Sequence, residues 1–177
     1  MTAFPRPDPS EHAEYYAQYI ARVPDGEITS TLSNQLAETV GILRSLPEDR
    51  ETYRYAEDKW TLREVVGHLI DTERMFAYRA LAIAREDDVD LPGMDQDAWN
   101  RGSNAADRAM VDLIDEWLLV RRANVVMFAC MPDGVGSRTG RASGYKFTAV
   151  SYTHLRAHET REARRGGGGG EEKKGGG

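Results

Sequence analysis

At 177 residues the chain is sized for one domain with a substantial core, and its 40% hydrophobic and 29% charged content is that of an ordinary globular protein. A net charge of -6 argues against a phosphate-binding surface, so nucleic acid is not an expected partner. The single cysteine, Cys130, excludes an intrachain disulfide, no basic-then-apolar leader opens the chain, and the longest apolar run, 125–131, is too short for a bilayer; a cytoplasmic protein with no membrane partner is expected.

Residues 1–26 read as a Pro-punctuated arm that packs Tyr15, Tyr16 and Tyr19 on the body, with His12 on the surface. A first long helix is expected from about Thr29 to Ser45, with Leu32, Leu36, Val40 and Leu43 on one face and Pro47 as its stop. The second runs from Thr61 to about Arg85. It opens with a capping box, in which Thr61 accepts from the Glu64 amide and the Glu64 carboxylate reaches back. Leu62, Val66, Leu69, Phe76, Ala80 and Ile83 form its apolar stripe, and Glu73 falls in the middle of it. A loop over 87–102 carries a buried Trp99. The third helix runs from about Asp107 to Met131 on Met110, Leu113, Ile114, Trp117, Val120, Phe128 and Met131, with Cys130 as a buried small hydrophobe. Residues 134–144 read as a flexible connection. No segment has the alternation of a strand, so the class is all-α.

Polar groups inside the stripes carry whatever chemistry there is, because a carboxylate at such a place needs a partner. Arg121 and Asn124 lie inside the third helix's stripe, so a Glu73–Arg121 pair with Asn124 nearby is expected, as a structural pair rather than a catalytic one. His68 sits at the border of the second helix's stripe. From spacing alone it is a satisfied boundary residue first and a metal ligand second. Asp71 turns mostly outward and orients the imidazole only if the helix rotates favourably. His154 and His158 form H-x-x-x-H, which puts two imidazoles on one helix face and, with His68, would make three nitrogen donors. Both lie in 149–177, where AVSYTHLRAHETREARR reads as translated sequencing-adapter read-through and the last twelve residues are low-complexity. Their spacing is therefore expected to be accidental. No phosphate loop, G-x-S-x-G, C-x-x-C or G-x-G-x-x-G is present, so no catalytic residue is assigned.

Several segments together resemble the DinB-like superfamily of four-helix-bundle proteins: Tyr19-Ile20, Val23-Pro24-Asp25-Gly26, the run from Lys59 to Arg74, Phe76 to Leu81, Leu91 to Asp97, and Ala142-Ser143-Gly144. The resemblance covers about residues 10–148. It implies an all-α, DinB-like four-helix bundle over 27–148, preceded by the 1–26 arm and followed by a 149–177 tail that replaces the fourth helix with foreign sequence. It also implies a divalent metal, zinc or nickel, held by one histidine of the second helix and an H-x-x-x-H pair of the fourth, so that His68 is the metal ligand. Counted from Gly144, that pair should begin near Glu159 and end near Ala163. His154 and His158 are out of phase with it, and each residue of slip turns a helical side chain by about 100°.

In intact form such a protein is expected to be a metal-dependent hydrolase or thiol-dependent S-transferase. It would act on a small-molecule substrate, use a low-molecular-weight thiol, and serve as a bacterial-type stress protein that forms homodimers. The chain as written is expected to be inactive. The alternative is a non-catalytic helical-bundle binding or dimerisation module, and a third reading is a carrier of apolar ligands.

Overall fold

The computed structural model describes residues 4–164, with side chains through residue 161. The glycine-rich end of the tail lies outside the described residues. The arm contributes α1 (Glu14–Ile20), and three long helices follow in the expected places: α2 (Ile28–Ser45), α3 (Leu62–Arg85) and α5 (Met110–Ala129), with the short β1 (Val89–Leu91) and α4 (Gln96–Gly102) between the last two. After α5 come β2 (Thr139–Ala142), β3 (Tyr145–Thr148) and α6 (Ala149–Arg164). Residues 149–164 therefore occupy the fourth place in the bundle. Both α2 and α3 pack on α5 and on α6, which sets α2 across the diagonal from α3.

Each helix begins where its local chemistry dictates. Glu27 caps α2, its carboxylate accepting from the Thr29 and Ser30 amides at 3.1 and 2.7 Å. Thr61 caps α3 through the expected reciprocal pair, Glu64 N–H to Thr61 Oγ1 at 3.2 Å and Thr61 N–H to Glu64 Oε2 at 2.7 Å. One turn into α3, Gly67 meets the turn at Ala105, and a Cβ built there would stand 2.4 Å from the Ala105 Cβ.

A three-stranded sheet, β1 parallel to β2 and β2 antiparallel to β3, corrects the expectation of a purely helical chain with a flexible 134–144 connection. Its strands have only three or four residues, too few for a period of two to register along the sequence. Ser143 and Gly144 link β2 to β3 with φ of 53° and 79°, the positive-φ pair that a two-residue hairpin requires.

The core divides in two. Leu36, Val40, Val66, Leu69, Leu113, Ile114 and Trp117 form an apolar cluster where α2, α3 and α5 meet. The second cluster joins the arm, the end of α3, the sheet and α6 through Phe4, Ile20, Ile83, Phe128, Phe147 and Tyr152. The arm's tyrosines do pack on the body, with Tyr16 5.2 Å from the Phe147 ring. Three burial expectations are overturned. His12 is only 8% exposed, while Trp99 is 42% exposed on the short α4 and Cys130 is exposed just past the end of α5. Among the described residues, no helix is long and apolar enough to cross a membrane.

Candidate metal centre between α3 and α6

The polar groups expected to meet in the bundle interior do meet. Arg121 donates from Nε to Glu73 Oε2 at 2.7 Å, and Asn124 donates from Nδ2 to Glu73 Oε1 at 3.0 Å, with both charged side chains 1% exposed. A third partner comes from α6, where Arg156 Nε lies 3.2 Å from Glu73 Oε1 and is equally buried. Two guanidiniums thus share one carboxylate in the core. Burial lowers the pKa of both, Arg156 to about 10, against the opposing pull of Glu73. Arg156 lies over the Phe128 ring at 4.6 Å, yet its Nη1 and Nη2 find no hydrogen-bond acceptor among the described residues.

His68 projects from α3 toward α6 beside the Trp60 ring, with centroids 5.0 Å apart. Its Nε2 lies 3.7 Å from Glu159 Oε2, and its side chain is 10% exposed. Burial raises the pKa of Asp71, one turn further along α3, against the opposing pull of His68 and Arg74. Position 159 is where the count from Gly144 puts the first member of the fourth helix's ligand pair. A carboxylate stands there.

The two late histidines face elsewhere. His154 Nδ1 lies 3.2 Å from the Val150 carbonyl and 3.2 Å from Thr153 Oγ1. Burial pushes its pKa down to about 4, so it is a neutral imidazole at pH 7. The His158 ring stacks 4.5 Å from that of Tyr19 on α1. The out-of-phase H-x-x-x-H therefore turns toward the arm, and Glu159, one residue on, turns to His68. Burial, and then its bond to the Tyr15 hydroxyl at 2.7 Å, raise the pKa of Tyr19, and the charge of Glu159 adds to the effect.

As a metal centre the arrangement is incomplete. A catalytic zinc site uses three protein ligands with an open fourth position. Here His68 and Glu159 supply two, and no cluster of three or more His, Cys, Asp or Glu able to hold an ion occurs among the described residues. The donor set does not fit a catalytic ion. Sequence reading singled out His68 but passed over Glu159 as a donor and Arg156 as a third member of the core cluster. Only the helical phase of the tail could have signalled either.

Comparison with known proteins agrees with the fold. No curated protein matches the chain. Among solved structures, YfiT from Bacillus subtilis, described as "a probable metal-dependent hydrolase with an unusual four-helix bundle topology", superposes with a TM-score of 0.68 at 15% identity, over 90% of this chain and 87% of that one. The sequence profile of the DinB superfamily matches residues 31–162, three-quarters of the chain, and the chain belongs to that superfamily.

Proposed function

We propose that this chain is a DinB-superfamily metalloprotein scaffold whose centre has lost ligands, so that it holds a divalent ion weakly and has no turnover of its own. The observation that carries this is the His68–Glu159 approach of 3.7 Å, with a carboxylate in phase and both nearby histidines out of phase. In an intact member, the expected reaction is attack by a water or low-molecular-weight thiol on a small electrophile. A bound zinc or nickel would supply Lewis acidity and a lowered pKa for that nucleophile. The structural neighbour's description as a metal-dependent hydrolase supports the metal, and the missing third donor is why no step is assigned to this chain.

The foreign-tail reading belongs to the same proposal. It accounts for a helix that buries Ser151, Thr153, His154, Arg156, His158 and Thr160 where a bundle wants apolar residues. A non-catalytic bundle is the second reading. It is favoured by the same donor shortfall, and the metal content of an intact parent with its own fourth helix separates the two.

The test is to titrate the chain with zinc and nickel by calorimetry, alongside a variant carrying Glu159→His and Ala163→His. The latter pair places two imidazoles one turn apart and in phase with His68. The expected result is no stoichiometric binding by the chain itself, and one ion per chain in the variant, lost again on His68→Ala. Tight one-to-one binding by the unmodified chain that disappears in His154→Ala overturns the proposal.

A further inference from the structure

α6 belongs to one of the two apolar clusters of the core and not to the other. The cluster among α2, α3 and α5 holds Leu36, Val66, Leu69, Leu113, Ile114 and Trp117, and no residue of the arm, the sheet or α6 is in it. In the second cluster α6 takes part through Val150, Tyr152, Leu155 and Ala157, together with Ile20 and Val23 of the arm. Undocking α6 therefore strips one cluster and leaves the other whole.

The docked position also carries a cost. Arg156 is 1% exposed, and its Nε, Nη1 and Nη2 find no hydrogen-bond partner among the described residues, although Nε lies 3.2 Å from Glu73. Buried donors left unpaired are penalised, and opening relieves the penalty because water then accepts from them. Glu73 keeps its partners in the exchange, since Arg121 and Asn124 donate to it from α5 at 2.7 and 3.0 Å. Against this, α6 loses the Gln35 donation to the Ala157 carbonyl at 3.0 Å and the Arg121 donation to Thr160 at 2.6 Å.

The arm is fastened to α6 along its length. Ser151 Oγ donates to the Glu11 carbonyl at 2.8 Å, the His158 ring lies 4.5 Å from that of Tyr19, and Arg161 donates to the Arg22 carbonyl. Positions 151 and 161 are ten residues apart, so these ties run from the first turn of α6 almost to its end. The arm is in turn closed on itself by Arg6, which donates to the Ile20 and Val23 carbonyls at 2.7 and 2.6 Å.

We infer that α6 and the arm form one strap, which opens as a unit while α2, α3 and α5 stay packed around Leu113, Ile114 and Trp117. Opening carries Glu159 and Tyr19 away from the α3 wall, where His68 now lies 3.7 Å from the Glu159 carboxylate. The two donors of the candidate centre are therefore together only in the closed form. The opening itself needs no ion and no partner; it belongs to the sub-global openings by which parts of a domain come loose ahead of the whole.

Native-state hydrogen exchange on the full chain, followed against low denaturant, reads such openings one by one. The bonded amides of α6 and those of Ala21, Arg22 and Val23 in the arm are expected to share one protection factor. It should lie at least about tenfold below those in the first halves of α3 and α5. Arg6→Ala should lower protection in the arm and in α6 by the same factor, roughly tenfold, because the two open together. Ile114→Val, inside the retained cluster, should lower protection in α3 and α5 roughly fivefold and leave α6 unchanged, since the contacts it weakens persist in the open form. An effect of Arg6→Ala confined to the arm overturns the single strap. Amides of α6 that exchange only together with α3 and α5, or that respond to Ile114→Val, overturn the partial opening.

Discussion

α3 and α6 pack side by side in the bundle, and they differ in nearly everything except being helices. α3 opens with a capping box, turns an apolar stripe inward and places one carboxylate within it, for which Arg121 and Asn124 wait on α5. α6 has ten consecutive buried residues, Ala149 to His158, without a corresponding stripe, and it brings a second guanidinium to a carboxylate that Arg121 already neutralises. Location and patterning are therefore separable. α3 is buried along the stripe its sequence provides, whereas α6 is buried without one.

The largest expected effect tests the α3 side of this contrast. Glu73→Gln leaves two buried guanidiniums without a counter-charge and should cost about 3–5 kcal/mol in denaturant unfolding, the penalty for breaking a buried pair from one side. A midpoint unchanged by the substitution would mean that the interior cluster has no energetic role. Arg156→Leu asks the converse of α6. It removes the supernumerary charge and three nitrogens without a hydrogen-bond partner while roughly keeping volume, and should raise stability by about 1–3 kcal/mol. A loss as large as that of Glu73→Gln would erase the distinction between the helices. The smallest effect sharpens the comparison at one end. Thr61→Ala should cost about 1 kcal/mol by releasing the Glu64 amide, seen as faster hydrogen exchange in the first turn of α3.

How much of this was legible depended on how local the cause is. The cap at Thr61, the stripe around Glu73, and the meeting of Glu73 with Arg121 and Asn124 all follow from a 3.6-residue period within single helices, and all appear where expected. His68 likewise faces the fourth helix. His12, Trp99 and Cys130 were misplaced because each lies outside the long helices, in the arm, on the short α4 and past the end of α5, where helical periodicity does not set burial. The β2–β3 hairpin rests on one turn pair and eight strand residues, below what periodicity can detect. Glu159 and Arg156 were hidden by a different obstacle. A segment without amphipathic pattern offers no way to read which of its side chains turns inward, so its partners emerge only once the phase of α6 is fixed by its neighbours.

The contact at Gly67 bears on the same question of phase. With no side chain there, the rod of α3 settles against Ala105 like a shaft on a flat key, and its rotation about its own axis is no longer free. The next residue along is the imidazole, so its bearing toward the cleft is indexed by an atom that is missing. A methyl group at 67 would turn that bearing away from position 159 while touching no donor at all, which makes the least reactive residue of the segment the one that aims its chemistry.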